Sequence, residues 1–271
     1  MKSILQLCLI LLLLQADSLY AQSITNYSFN SGSNASLLRT DGSLIDDIDM
    51  SIGSTILLGG SQSNTQSNTL QPIGFDFFLN GTRHQQFNVT SNGNIGLSSF
   101  ATPGFGWLGV NATRIAPFLG STTTTMGTSS IGRIHYKTIG TAPSRVCVIE
   151  FLRMAINSSV LDDTTTFQVR LYENNGEIEF VYGRMAVTTG APLSFNVGFH
   201  TSTTIYQSVN INSHSASTST STLNTLNSNG YINQLHSNTN GNRRYYRWIP
   251  TPPDDPTNFA VSSVTNNSAT L

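Results

Sequence analysis

The chain is poor in charge, in cysteine and in helical periodicity, and each shortage excludes something. Its 13 basic and 14 acidic residues make up 10% of 271 residues and leave a formal charge of −1. An ordinary soluble domain carries roughly 25% charged residues. No basic stripe is present to neutralise phosphates, which excludes nucleic acid as a partner. Two cysteines, Cys8 and Cys147, cannot build a disulfide framework or a cysteine-type zinc site. The five histidines, at 84, 135, 200, 214 and 236, show no His-x-x-x-His or His-Glu-x-x-His spacing. No Gly-x-Ser-x-Gly elbow occurs. Nothing here calls for a cofactor or marks an enzyme.

What the chain does contain is 14 Phe, 9 Tyr and 2 Trp, spread along its length, which argues for a packed core rather than disorder. Lys2, the apolar run over residues 4–14 and the small residue Ala21 form a secretory signal peptide over residues 1–21. That run is about half the roughly 20 residues a membrane span needs, and no later stretch is long enough, so the mature chain carries no span. The expected location is extracellular or at the cell surface. Export removes Cys8, and Cys147, inside Val146-Cys147-Val148-Ile149, reads as a buried and inert thiol.

Short runs rich in Val, Ile, Phe, Tyr and Thr alternate with Gly, Asn and Ser clusters, the pattern of an all-β protein. The expected fold is an antiparallel, jelly-roll-like β-sandwich over residues 22–250. Strands are expected at 24–29, 55–58, 73–79, 87–90, 94–97, 114–119, 133–138, 145–152, 166–173, 177–182, 195–200 and 243–249. The strand at 146–152 alternates little, which suits a central position covered on both faces. The Ser/Thr/Asn-dense stretch 201–242 reads as a surface excursion with one or two edge strands.

Two hairpins are specific enough to assign a register. Asn175-Gly176 suits a type I′ turn, which would set Leu171 opposite Phe180 and Val169 opposite Tyr182. At Asn80-Gly81 a two-residue turn would set Phe75 and Phe77 opposite Gln86 and His84, which mixes apolar and polar residues on one face. An extra loop residue or a bulge between Asn80 and Gln85 would restore the match.

Beyond Trp248, residues 251–256 form a proline-rich linker. Residues 257–271 resemble the opening of a fibronectin type III domain, with a proline ahead of the first strand and Ser268-Ala269-Thr270-Leu271 as the second. Such a domain needs about 100 residues to close, so the chain reads as a fragment of a longer multidomain protein.

The order of motifs over residues 36–250 resembles an N-terminal β-domain of large exported proteins from gliding-type Gram-negative bacteria. The matching stretches include Ile73-Gly74-Phe75-Asp76-Phe77, Phe87-Asn88-Val89-Thr90-Ser91-Asn92-Gly93, Arg114-Ile115-Ala116-Pro117-Phe118, Gly132-Arg133-Ile134-His135-Tyr136 and Ile178-Glu179-Phe180-Val181-Tyr182-Gly183. The resemblance implies fibronectin type III modules and a sorting domain further along. A fainter similarity to the nidogen-type extracellular domain rests on the Asn92-Gly93 turn, Ile115-Ala116-Pro117-Phe118 and Arg133-Ile134-His135-Tyr136. Both families tend to follow the Ala-Pro-Phe element with an aromatic residue and aspartates. This chain has Leu119-Gly120-Ser121-Thr122 instead, which removes the carboxylates from that corner.

The candidate sites are few. Phe105 and Trp107, in the glycine-rich loop 103–109, could contact a sugar ring or a protein partner, although Trp107 folded back on the sandwich edge is the commoner outcome. Asp46, Asp47 and Asp49 form the densest acidic cluster, a weak candidate for calcium, since the glycine-punctuated spacing of a dedicated loop is missing. Asp162-Asp163 is weaker still. Glu150, Glu173, Glu177 and Glu179 are the carboxylates to check for a glycoside-hydrolase pair, with Glu177 and Glu179 expected as solvent-exposed charges on the outer face of their hairpin. The expected function is a non-catalytic adhesive or spacer module of a secreted or surface protein. The alternative is a lectin-like module that delivers a downstream enzyme to extracellular glycans, and a hydrolase comes last.

Overall fold

A computed structural model describes residues 23–36, 48–101, 112–120, 125–156, 165–183, 185, 194–211, 219–230, 242–251, 263–264 and 269–270. Two seven-stranded antiparallel sheets form a β-sandwich. The first sheet runs, in spatial order, β1 (Tyr27–Ser36), β14 (Asn242–Pro250), β10 (Ile178–Tyr182), β9 (Thr165–Tyr172), β8 (Val146–Ile156), β7 (Met126–Ile139) and β2 (Thr55–Leu58). The second runs β13 (Thr220–Leu223), β12 (Tyr206–Asn210), β11 (Phe195–His200), β6 (Arg114–Gly120), β5 (Ile95–Leu97), β4 (Thr82–Val89) and β3 (Gln71–Leu79). A four-strand meander lies in each, β7 to β10 in the first and β3 to β6 in the second.

Strand alternation builds one continuous core between the sheets. On β3, Ile73, Phe75, Phe77 and Leu79 are buried while Gly74 and Asp76 face water, as a period of two requires. Aromatic rings join the sheets: Phe87 meets Tyr136 edge-on at 5.0 Å, and Phe199 meets Trp248 at 5.4 Å. Tyr182 crosses the core to donate its hydroxyl proton to Pro117 O at 2.6 Å. Cys147 to Phe151 is buried at every residue, so β8 is covered on both faces as its sequence predicts.

Every expected strand is present, but β4 starts five residues earlier than the sequence reading placed it, β7 starts seven earlier, β8 ends four later, and the N-terminus differs in kind. There a 3-10 turn, Ile24–Asn26, capped by Ser23, precedes β1. Within 201–242, β13 is an edge strand, and β12 sits beside it with Val209 in the core.

Both hairpin registers differ from expectation. Leu171 lies opposite Ile178, Val169 opposite Phe180 and Phe167 opposite Tyr182. The turn is a four-residue loop, Glu173 to Gly176, closed by Gly176 N donating to Tyr172 O and Tyr172 N to Glu177 O, both at 3.1 Å. Gly176 takes a φ of +70° and Asn175 stays at negative φ, so no type I′ turn forms. Glu173 continues the ladder toward β8 instead, its N–H bonding Arg145 O at 2.9 Å. The slip is of two residues, which keeps every side chain on its expected face.

The Asn80-Gly81 turn, by contrast, is a regular two-residue turn, with Leu79 opposite Thr82 and φ of +52° and +73° at the two turn residues. The expected irregularity between Asn80 and Gln85 is absent. The bulge lies in β3, where pairing jumps from Phe77–His84 to Pro72–Gln86. Four residues, Ile73 to Asp76, thus oppose the single residue Gln85. The other sheet holds the bulge: Thr138 Oγ1 donates to Ile73 O at 2.7 Å, and Arg145 Nη1 to Gly74 O at 2.5 Å. Gly74 has φ +97° and lies against the Thr138 side chain.

The ends of the sandwich meet. Tyr27 pairs with Pro250, and Thr251 N and Oγ1 both donate to Asn26 O at 2.6 Å. Farther along, β15 (Ser263–Val264) and β16 (Ala269–Thr270) form a hairpin separate from both sheets.

Candidate functional site

Most of the predicted site residues do not come together in the described part of the molecule. Phe105, Trp107, Asp46, Asp47, Asp162 and Asp163 lie outside the described residues, as do His214 and His236. Asp49 is exposed, and its Oδ1 accepts from Ser51 N at 2.9 Å while its carbonyl accepts from Lys137 Nζ at 2.5 Å. Among the described residues, no cluster of three His, Cys, Asp or Glu side chains could hold a metal. Cys147 is buried, and burial pushes its thiol up to about 12, in keeping with an inert core residue.

The bulge in β3 opens a hollow of about 720 Å³ on the sandwich surface. Its apolar part is Pro72 and the edge of Phe75, with the Arg145 guanidinium 5.6 Å from the Phe75 ring centre. Glu173 fixes Arg145 through its backbone N–H at 3.0 Å, its Nε at 2.8 Å and its Nη2. Across the hollow, Asp76 Oδ1 accepts from Arg83 Nη2 and Gln85 Nε2, each at 2.9 Å. The Arg83 hydrogen bond holds the Asp76 carboxyl below its usual range, and Arg145 does the same for Glu173.

Two carboxylates therefore line one concavity, the arrangement a glycoside hydrolase uses. A general acid must hold a proton near neutral pH, which needs a raised pKa, and both of these are lowered. Sequence reading missed Asp76, Gln85 and Gln86. The signal available was the register mismatch at Asn80-Gly81, which announced an irregularity but pointed to residues 80–85 and not to β3.

The other three candidate carboxylates belong to a hydrogen-bonded chain across the outer face of the first sheet. His135, Glu150 and Gln168 are cross-strand neighbours on β7, β8 and β9. In the next row, Arg170, Glu179 and Arg247 align on β9, β10 and β14. His135 Nε2 bonds the Glu150 carboxylate, and Gln168 Nε2 donates to its other oxygen at 2.9 Å. Arg170 Nη1 and Tyr172 Oη donate to Glu179 Oε2 at 3.1 and 2.7 Å. Arg247 Nε donates to Glu177 Oε1 at 2.7 Å.

Glu177 and Glu179 do point outward, but they are not solvent-exposed; only 3% and 7% of each is accessible. Buried carboxylates need partners, and the arginines of β9 and β14 supply them. The segment 48–54 covers part of this row. Gln168 exchanges hydrogen bonds with the Ile48 backbone at 2.8 and 3.2 Å, and Ser54 Oγ lies 2.9 Å from His135 Nδ1. Ser54, His135 and Glu150 are the residue types of a hydrolytic triad. Ser54, however, donates its hydroxyl proton to Met50 O at 2.8 Å, so it meets His135 as an acceptor and is not an activated nucleophile.

Comparison with known proteins gives one match. A family model described as NIDO related covers residues 48–250, in line with the fainter of the two resemblances read from the sequence. No curated protein and no solved structure matches the chain.

Proposed function

The chain belongs to the NIDO-related domain family, an extracellular-type module, and from that premise we propose that it is a non-catalytic adhesive head of an exported multidomain protein. In this reading residues 1–21 are a signal peptide, 251–256 a linker, and 257–271 the start of a fibronectin type III domain. That proposed arrangement resembles the one expected from the motif order, that of large exported proteins of gliding-type Gram-negative bacteria.

The observation that carries the adhesive role over a spacer role is the meeting of the two chain ends. With Tyr27 paired to Pro250 and Thr251 bonded to Asn26, the first strand after the proposed signal peptide starts beside the exit toward the proposed linker, so the other end of the sandwich faces away from the tether. A spacer gains reach by passing the chain from one end of a domain to the other. A module tethered as this one is adds little length and presents its opposite end freely. The depressed carboxylates of the hollow and the committed hydroxyl of Ser54 favour binding over catalysis.

A lectin-like form of the same reading, in which the module delivers a downstream enzyme to glycans, assigns contacts to Phe105 and Trp107. The test is retention of beads coated with the full chain on glycoprotein-coated surfaces under flow. Retention above that of albumin-coated beads is the expected result. Equal retention rules the adhesive role out.

A further inference from the structure

The hollow beside the β3 bulge has properties that select a ligand class. Its three charged residues are already matched, Arg145 with Glu173 and Asp76 with Arg83, which stands outside the lining, the latter pair at 2.9 Å. An ionic ligand would have to break one of these pairs or stand beside an unneutralised like charge. A neutral ligand would not. The lining offers little to a greasy ligand, since its apolar side chains are Pro72 and Phe75, and Phe75 is buried with the Arg145 guanidinium over its ring.

A peptide strand is a poor fit as well. Strand addition needs a regular edge of free backbone groups. Here the edge is broken by the bulge, and the carbonyls of Ile73 and Gly74 are already bonded to Thr138 and Arg145. What remains for a ligand is Asp76 Oδ2, the second acceptor position of a carboxylate whose Oδ1 takes both intramolecular bonds, and the exposed carboxamide of Gln86. Gln85 is fixed on Asp76 at 2.9 Å, and Arg83 bonds the same oxygen, so the acceptor is held in place before any ligand arrives.

From this set we infer that the hollow is a binding site for a neutral saccharide, with Asp76 and Gln86 bonding adjacent hydroxyls. A sugar hydroxyl donates and accepts at once, so one can bond the free carboxylate oxygen while its neighbour bonds the amide, and neither arginine has to move. The ring then lies toward Pro72. The inference rests on the adhesive reading and gives it a ligand. It places the sugar contact on β3 and β4 instead of on Phe105 and Trp107.

The experiment measures binding of the full chain to immobilised neutral glucose, galactose and mannose oligosaccharides, with the free sugars as competitors. Three variants are compared with the native chain. Gln86→Ala removes an exposed side chain with no intramolecular bond and leaves folding intact. Asp76→Asn keeps the shape and removes the charged acceptor. Ile52→Ser alters an exposed residue, outside the hollow lining, as a control.

The expected result is saturable binding, weakened about tenfold or more by each hollow variant and unchanged in the control, which corresponds to about 1.4 kcal/mol. Saturable binding that both hollow variants leave intact overturns the inference while leaving an adhesive lectin with its contact elsewhere. Absence of binding to every sugar tested also overturns it, and the bead-retention assay then judges the adhesive reading by itself.

Discussion

His135 on β7 and Glu150 on β8 are bonded side chain to side chain on the outer face of the first sheet, where the imidazole is 1% exposed and the carboxylate side chain 9%. Exposed strand residues at such positions would normally be wet. The segment 48–54 packs over them, through Gln168 bonded to Ile48 and Ser54 bonded to His135. The pair is thus a fastening for that segment, and its stability depends on both members. Removing one partner of a buried pair costs about 3 kcal/mol or more, because the other charge stays buried. His135→Leu is therefore expected to lower stability by about 3 kcal/mol. The double variant His135→Leu/Glu150→Leu should cost less than the single one, since no carboxylate is stranded. Urea unfolding of the variants checks this, and a double variant that costs more than the single one refutes the fastening.

His84 and His200 give the fold a dependence on acid. Burial pushes His84 down to about 4, and burial together with the Arg114 charge does the same to His200. Both are neutral in the folded chain at pH values where the unfolded chain, with an ordinary value of 6.5, takes up protons. Their contribution is complete above pH 6.5, declines as pH falls, and is lost by about pH 4. Urea midpoints across that range should fall with acidity, and His84→Gln or His200→Gln should each flatten the slope. Asp76 and Glu173 act in a lower window. Their depressed values stabilise the fold above the ordinary carboxylate range, and that contribution disappears as they protonate below it.

Faces were legible in the sequence; registers and partners were not. Period-two alternation placed Val169, Leu171, Phe180 and Tyr182 on one buried face, and that face is real. The pairing among them turned on Glu173, which bonds Arg145 at the start of β8 and so lengthens the loop to four residues. No local pattern around Asn175-Gly176 reveals a partner 28 residues upstream. The β3 bulge has the same cause, because Thr138 and Arg145 hold it from the other sheet. Outward-facing Glu177 and Glu179 read as exposed for lack of any sign that Arg170 and Arg247 would stand beside them. The mismatch at Asn80-Gly81 hinted at the bulge, but the hollow also needs the Arg145–Glu173 pair, 28 residues apart, which no local pattern reveals.

Cys147 offers a probe of opening. It is fully buried on β8, and burial pushes its thiol up to about 12. Thiolate is the reactive form, so the folded chain should resist iodoacetamide at pH 8, and reaction should appear only with unfolding. Labelling followed by mass spectrometry across a urea series should track the loss of β-sheet circular dichroism. Rapid labelling in the absence of urea, with the sheet signal intact, contradicts the packing around β8.

Two glycines at positive φ separate backbone strain from crowding. Gly53 has φ +75° with open space around it, so Gly53→Ala is expected to cost only the left-handed penalty, about 1 kcal/mol. Gly93 has φ +90° in the turn between β4 and β5, and a methyl group there would stand 1.9 Å from Phe118 O and 2.3 Å from Met126 Cε. Met126 can rotate away; the Phe118 carbonyl belongs to the β6 backbone and cannot. Gly93→Ala should therefore add an overpacking cost of about 2 kcal/mol to the same conformational penalty. Thermal melts of the two variants give the comparison. Equal melting temperatures would mean that the turn is not seated against β6, and the corner of the sandwich between Asn92 and Phe118 would need to be redrawn.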